Sequence, residues 1–325
     1  MSVTKALPPL CPVTGLPAKR RIQQVSSALL VALWRISLGV STTRLLHDVK
    51  RFGLWESPCG LAFFDPMIVG DAQFYQDFYR RLGEGGPWRE GLVPRSDFAR
   101  VAALIAPGEK VLDVGCGTAR FARHVEHAVY VGLEEHVATT SADVRSETVA
   151  QHAAVHLCAY DAVCSFHVAE HTSEPARFVG DMVRCLRPGG RLFLVVPSWP
   201  SALTDIPNFA PNGPPHHLSW WSNPALEALA AQLGLIVEIV ELLPPSPDSG
   251  ILYWMAWLTP KLTGERFFRD AWSWHGSLMW SSLAGRVCSR RRSLMTCSEA
   301  AMTASVSGVK SPSINRDAIR NNQPT

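Results

Sequence analysis

Val111-Leu-Asp-Val-Gly-Cys-Gly-Thr-Ala-Arg120 decides how this chain reads. Val111 to Val114 is a short apolar run suited to a buried strand, Gly115-Cys116-Gly117 follows directly, and a helix is expected from near Thr118. A strand, a glycine turn and a helix together cradle a ligand: glycines let backbone approach a bound group, and a helix N-terminus offers unpaired N–H donors. A Gly-x-Gly turn alone is a weak signal, so its surroundings matter. Asp113, two residues before the first glycine, is placed to face the ammonium of an amino-acid moiety. Glu134, 21 residues later at the end of the next apolar run, is placed to take both hydroxyls of a ribose. The third glycine of a dinucleotide fingerprint is missing, since Thr118, Ala119, Arg120 and Phe121 follow, and this disfavours a nicotinamide cofactor. The alternative is that both acids merely end their strands.

Outward from this turn, between Phe98 and about Leu243, strand-like runs alternate with helical patterns. Lys110–Val114, Ala128–Leu133, Tyr160–Phe166 and Arg191–Val196 read as strands, and Ala176–Leu186 reads as a helix. That alternation implies an α/β fold with a doubly wound, mostly parallel sheet. Four regions follow. Residues 1–95 read as an irregular N-terminal appendage, with a helical pattern over Val25–Leu46 and two short strands around a turn over Phe52–Pro66. Residues 96–245 are the ligand-binding domain, 246–290 a Trp-rich helical extension, and 291–325 a polar tail expected to be disordered.

With 47% hydrophobic and 18% charged residues over 325 positions, the chain can bury a full core. Its eight cysteines show no paired spacing, and no charged start followed by an apolar stretch and cleavage site is read at the N-terminus, so a reducing cytoplasm is expected. The longest early uncharged run, Ile22 to Trp34, has 13 residues and falls short of the ~20 needed to span a bilayer. Residues 1–50 carry seven Lys/Arg against one Asp, and 286–325 seven against two acids, which leaves the body between them net acidic. An acidic body argues against nucleic-acid binding, which needs clustered cations on the working face.

Several motifs in order now carry a resemblance. Val111 to Thr118 looks like motif I of class I S-adenosylmethionine-dependent methyltransferases, and Tyr130-Val-Gly-Leu-Glu134 resembles their second motif. Tyr160-Asp-Ala-Val-Cys-Ser-Phe-His-Val-Ala-Glu-His171, Glu174-Pro175 and Leu186-Arg-Pro-Gly-Gly-Arg-Leu192 resemble their fourth strand, the next helix and the turn into the fifth strand. The resemblance covers about residues 98–243. It implies a seven-stranded Rossmann-like sheet closed by an antiparallel strand, with S-adenosylmethionine bound by Asp113, Gly115, Cys116, Gly117, Glu134 and Phe166. The chain after Ser293 supports such a last strand only weakly. More narrowly, Glu147-Thr-Val-Ala-Gln-His-Ala-Ala-Val-His156 and the Glu170-His171 pair are similar to ubiquinone-pathway O-methyltransferases, which implies that Glu147 and Thr148 approach the adenine.

Methyl transfer is an in-line displacement at a carbon activated by the sulfonium, so the protein chiefly holds the nucleophile on axis and excludes water. An oxygen nucleophile benefits from a base, and histidine suits neutral pH. His167-Val-Ala-Glu170-His171 leaves the fourth strand at the sheet edge where ligands bind. His-x-x-Glu-His also matches an inverted zinc-protease pattern, but that motif needs one helix to carry both histidines. The ubiquinone-pathway enzymes resemble this segment with Glu where His167 stands, and their Glu/Glu/His cluster implies a divalent cation; the changed residue argues against one here, so no metal ligands are assigned. Bracing of the next helix, general base and metal ligand remain the three roles open to Glu170 and His171. Gly213-Pro-Pro-His-His-Leu-Ser-Trp-Trp-Ser222 is a second candidate: its prolines stiffen a lid that presents His216 or His217 to a substrate hydroxyl, or its tryptophans simply cap the core.

Cys11-Pro-Val-Thr-Gly15 and Pro58-Cys59-Gly60 resemble an N-terminal zinc module carried by some related methyltransferases, but each half lacks one cysteine and Thr14 stands in a ligand position, so no zinc is expected. Phe74, Tyr75 and Tyr79 are candidates to close the cofactor pocket or to pack a helix. Ile251–Trp257 and Phe267–Val287, with Arg290-Arg-Arg292 behind them, would suit a peripheral membrane contact, a dimer surface or a substrate cap. The leading expectation is methyl transfer to a small-molecule or lipid-like acceptor, at oxygen, with His171 or His216 as base. The competing ones are a non-catalytic cofactor-binding scaffold docking a partner through its C-terminal region, and aminopropyl transfer, which would want a more acidic pocket.

Overall fold

The computed structural model of the protein describes residues 7–85, 95–135, 143–201, 204, 206–243, 266–269 and 299–306. The N-terminal part contains β1 (Arg20–Ser26), α1 (Ser27–Leu38), α2 (Thr43–Leu46), β2 (Arg51–Glu56), β3 (Ala62–Asp65) and α3 (Ala72–Gly85). Ser26 caps α1, its side chain accepting from Leu29 N, and Gly39 ends it in the left-handed region at φ 68°. Two expected strands around a turn are therefore present. The reading of 1–95 as irregular is corrected: β1, β2 and β3 form an antiparallel sheet, and β9 (Ser219–Trp220), far along the chain, pairs with β3 as its fourth strand. Leu30, Leu33, Trp34, Phe52, Leu54 and Phe64 are fully buried there. Their alternation in β2 and β3 and their helical spacing in α1 supply one core between sheet and helix.

The second part follows the order α4 (Ser96–Ala102), β4 (Lys110–Val114), β5 (Val129–Leu133), β6 (Val144–Arg145), α5 (Val149–Val155), β7 (Tyr160–Phe166), α6 (Pro175–Cys185), β8 (Leu186–Pro197), α7 (Asn223–Gln232), β10 (Leu235–Leu243) and β11 (Glu299–Val306). The sheet runs β10-β11-β8-β7-β4-β5-β6, with β8 through β6 parallel and β11 antiparallel to both its neighbours. This is the doubly wound α/β arrangement. Strand order turns back between β4 and β7, and at such a switch point the loops diverge to leave a crevice beyond the strands' carboxyl ends.

The expected disorder of 291–325 is corrected over residues 299–306, which fill the gap between β8 and β10. Glu-Ala-Ala-Met-Thr-Ala-Ser-Val is too small and polar to announce a strand; what makes it one is pairing along both edges, from Glu299 to Ser305 on β8 and from Glu299 to Val306 on β10. The rest of that tail, and most of the Trp-rich stretch 246–290, lie outside the described residues. Residues 266–269 of that stretch are not helical. They dock on the N-terminal part and on the segment after β8: Gln23 brackets Phe268 through both its amide atoms, Asn208 holds Arg269 in the same way, and Phe268 is 4% exposed.

Candidate functional site

The turn after β4 is tighter than the sequence suggested. Gly115 and Gly117 take φ of +76° and +54°, Ala119 is also left-handed, and a short 3-10 turn over Arg120–His124 follows in place of the expected α-helix. Such a stub has no long dipole to offer, and the N–H groups of Gly115 and Cys116 are already spent on Leu133 O, so the turn shapes the cradle by its close backbone and not by free donors. A Cβ at Gly115 would stand 2.4 Å from Val168 Cγ2, which leaves room only for hydrogen. The Gly117 N–H donates to Glu134 Oε2 at 2.8 Å, tying the turn to the end of β5.

Around this turn lies a cavity of about 690 Å³. Its wall includes Asp113, Gly115, Cys116, Gly117, Glu134, Glu147, Thr148, Phe166, His167 and His171. The expected cofactor residues are thus all brought together, although they come from four different strand ends and loops. Asp113 ends β4 and is 2% exposed; Tyr130 donates its hydroxyl to Asp113 Oδ2 at 2.9 Å, while Oδ1 has no hydrogen-bond partner. Burial raises the Asp113 carboxyl to about 7, against the opposing pull of the Tyr130 hydroxyl. A buried acceptor lacking a donor costs roughly 1–3 kcal/mol, and a bound ammonium is the group that would relieve it. Thr148 caps α5, its hydroxyl accepting from Gln151 N, and Glu147 holds His152 Nδ1 at 2.8 Å. Phe166 packs edge-on against Phe98, ring centroids 4.7 Å apart. Of the three aromatic candidates on α3, Tyr75 and Tyr79 line the cavity, whereas Phe74 turns inward against Trp34.

The second cluster begins where β7 ends. His167 takes a left-handed backbone at φ +60°. Its Nδ1 lies 3.5 Å from Glu170 Oε1 and its Nε2 lies 3.7 Å from Asp97 Oδ2. Asp97 is buried at 1% exposure and clamped by both ends of the Arg95 guanidinium. Burial opposes ionisation of Asp97, but the flanking His167 and Arg95 outweigh it and hold the carboxyl well below the usual range. This pair is absent from the sequence reading. An acid in the first turn of a helix reads as a helix-end charge, and nothing in Arg95-Ser-Asp97 says that it faces a histidine 70 positions on.

Glu170 is fully buried, and neither carboxylate oxygen has a hydrogen-bond partner. Burial works against its charge, yet His171 and His167 beside it pull the carboxyl down to about 2. His171 Nδ1 lies 2.8 Å from the His216 carbonyl oxygen, which can only accept, so Nδ1 carries the proton and Nε2, 3.8 Å from Glu170 Oε1, is free to take one. His171 stands in the cavity wall. His216 does not, and its candidacy as base is corrected: it is 8% exposed behind His171, among Trp34, Phe74 and Phe78, and burial holds its imidazole well below the usual value. The lid reading of 213–222 is corrected with it. Leu218 N bonds to Glu170 O and Phe64 N to Leu218 O, so the segment is a buried wall between the two parts, and Trp220 and Trp221 cap the core.

The cation implied by the Glu/Glu/His pattern fits poorly, because His167 turns Nε2 toward Asp97 and leaves one nitrogen near Glu170. Among the described residues the donor atoms that gather within 4.8 Å are those of His171, His216 and His217. Their rings lie 4.2 to 5.1 Å apart, and His216 stacks on His217 at an interplanar angle of 17°, as neutral imidazoles do.

Residues 88–239 match the family model described as a methyltransferase domain. A ubiquinone biosynthesis O-methyltransferase from Klebsiella pneumoniae is 37% identical over 100 residues, covering 26% of this chain and 41% of that protein. One from Salmonella arizonae is 34% identical over the same coverage. The alignments therefore span less than half the length of these curated relatives. Among solved structures, the 1,6-didemethyltoxoflavin-N1-methyltransferase of Burkholderia thailandensis, with bound 1,6-didemethyltoxoflavin and S-adenosylhomocysteine, is similar at 14% identity, covering 79% of this chain and 95% of its own, with a TM-score of 0.45. The [4+2]-cyclase SpnF is similar at 17% identity, covering 74% and 98%, with a TM-score of 0.43.

Proposed function

Because residues 88–239 belong to the class I S-adenosylmethionine-dependent methyltransferases, we propose that this protein moves a methyl group to an oxygen of a small-molecule or lipid-like acceptor. The observation that carries the cofactor reading is Asp113 Oδ1, a buried carboxylate oxygen without a donor in a cavity whose floor is the Gly115–Gly117 turn. Asp113 would take the ammonium, Glu134 the ribose hydroxyls, the close backbone of the Gly115–Gly117 turn would lie against the amino-acid end, and Glu147 and Thr148 would meet the adenine edge. The bound cofactor supplies a methyl activated by its sulfonium. Tyr75, Tyr79 and Phe166 exclude water from the transfer axis. His171 Nε2 is the nitrogen positioned to accept the acceptor's hydroxyl proton, and the imidazolium so formed sits beside the Glu170 carboxylate. His167 stands between Glu170 and Asp97, its two nitrogens 3.5 Å and 3.7 Å from their carboxylates.

Isothermal titration with S-adenosylhomocysteine tests this reading. Saturable binding is expected, weakened roughly tenfold or more by Asp113→Ala, as for loss of a charged hydrogen bond. No binding at all ends the proposal. The acceptor is identified by mass spectrometry of small-molecule and lipid fractions incubated with labelled cofactor. With it in hand, His171→Gln is expected to lower kcat by roughly 100-fold while cofactor affinity holds. Unchanged turnover in that variant removes the base assignment and favours an acceptor that needs none.

A further inference from the structure

The two halves of the degenerate zinc module meet in space. Residues 11–16 form a tight turn, with Cys11 N bonded to Leu16 O and Gly15 N to Cys11 O, and residues 57–61 form another, with Ser57 N bonded to Leu61 O. Between them Cys11 Sγ and Cys59 Sγ lie 3.9 Å apart. Beside these sulfurs stand Thr14, whose N–H points at Cys11 Sγ from 3.5 Å, and Ser57, whose hydroxyl lies 3.0 Å from Cys59 Sγ. Two sulfurs and two neutral hydroxyl side chains do not make a tetrahedral zinc site. Two thiols in van der Waals contact make something else. We infer that Cys11 and Cys59 form a reversible disulfide that staples the N-terminal turn to the β2–β3 turn.

The chemistry of the pair favours this. Either thiol can donate to the other across the 3.9 Å contact and the Thr14 N–H adds a donor to Cys11 Sγ, so the first ionisation of the pair is eased and the second is pushed up. The contact thus favours a single thiolate shared by the pair. Cys11 is 2% exposed while Cys59 is half-buried, so an external oxidant meets Cys59 first. With a small disulfide such as oxidised glutathione, the Cys59 sulfur, its proton passed to Cys11, attacks one oxidant sulfur and expels a glutathione thiolate. Cys11 then loses its proton to water and attacks Cys59 Sγ, expelling the second glutathione. Two thiols are oxidised to one disulfide and the oxidant disulfide is reduced to two thiols, the protons the cysteines lose being taken up by the expelled glutathione thiolates. The two sulfurs have to close from 3.9 Å to the ~2.05 Å of an S–S bond.

The staple reaches further than its own turns. Ser222 Oγ donates to Gly60 O at 2.9 Å, and Phe64 N bonds to Leu218 O, so the β2–β3 turn is tied to the buried wall that carries His216 and His217. Oxidation would stiffen that wall from outside the cavity.

The test uses the full-length protein without cofactor, so its outcome is independent of the methyl-transfer reading. After incubation with oxidised glutathione, alkylation and tryptic digestion without reductant, the peptide of residues 6–19 should appear joined to that of residues 52–80, two hydrogens lighter than their sum, and vanish on adding dithiothreitol. The oxidised protein should melt roughly 5 °C above the reduced one. Cys59→Ser and Cys11→Ser should each abolish the joined peptide and the shift. Alkylated or glutathionylated Cys11 and Cys59 with no joined peptide in the wild-type protein would overturn the inference, whatever the variants do; so would a joined peptide that leaves the melting temperature unmoved by oxidant.

Discussion

At the scale of single residues, Asp113 is where the cofactor reading becomes quantitative. Burial holds its carboxyl near 7, far above the ordinary 3.8, so in the free protein it carries a proton over much of the mildly acid range. The sign of the linkage follows. Between pH 3.8 and about 7 the folded state binds a proton that the unfolded chain releases, so this group's contribution to stability is present at low pH and fades as pH rises through about 7. A cationic ammonium selects the ionised form. Affinity for S-adenosylhomocysteine is therefore expected to rise with pH from 5.5 toward 7.5, by up to roughly tenfold per unit below the carboxyl's own midpoint. Titration calorimetry across that range checks it, and Asp113→Asn should flatten the profile; a flat wild-type profile would mean that the ammonium sits elsewhere.

Elements, rather than residues, explain why the histidines behave differently from one another. His171 follows β7 and lines the cavity, while His216 and His217 precede β9 and lie in the wall that β9 anchors to β3. Burial first, and then the neighbouring His171, keep His217 down to about 3 and His216 lower than usual as well. The unfolded chain protonates these rings near 6.5 and the folded one refuses the protons, so stability is lost as pH falls from about 6.5 toward 3. Thermal melts are expected to drop steadily over that window, and His217→Gln should make the slope shallower. An unchanged slope in His217→Gln would show that other groups govern acid unfolding.

For the whole molecule, the important fact is that the N-terminal part is not an independent appendage. Trp34 on α1 is fully buried, donates its indole N–H to Pro214 O at 3.0 Å, and meets Phe74 and Phe78 edge-on at 5.0 and 5.5 Å. It joins α1, α3 and the wall beneath the histidines. Trp34→Ala should cost about 3–5 kcal/mol, the ordinary range for emptying a buried tryptophan site, and chemical denaturation should show one transition shifted as a unit. Two separated transitions would mean that the parts fold apart after all. Among the described residues no helix is long and apolar enough to cross a membrane.

What was legible in the sequence, and what was not, divides along the range of the interactions. Val111 to Gly117, Asp113 and Glu134 were readable because strand, turn and strand-end acid are set by local period and by the φ that only glycine takes freely, as Gly115 at +76° against Val168 illustrates. The parallel order of β4, β5, β7 and β8 followed from alternation along the chain. Nothing local marked Glu299 to Val306 as a strand, since its pairing energy comes from β8 and β10; nothing marked Asp97 as a neighbour of His167; Cys11 and Cys59 were paired only by their resemblance to a zinc module; and equal-looking His216 and His171 were separated only by burial. By itself the sequence determined the α/β class and the cradle after β4, because strand and helix periods and the glycine turn are written in local sequence. Tertiary structure alone decided which histidine meets the cavity, which strand closes the sheet and which cysteines touch, because each depends on a desolvation or a pairing made by residues distant along the chain.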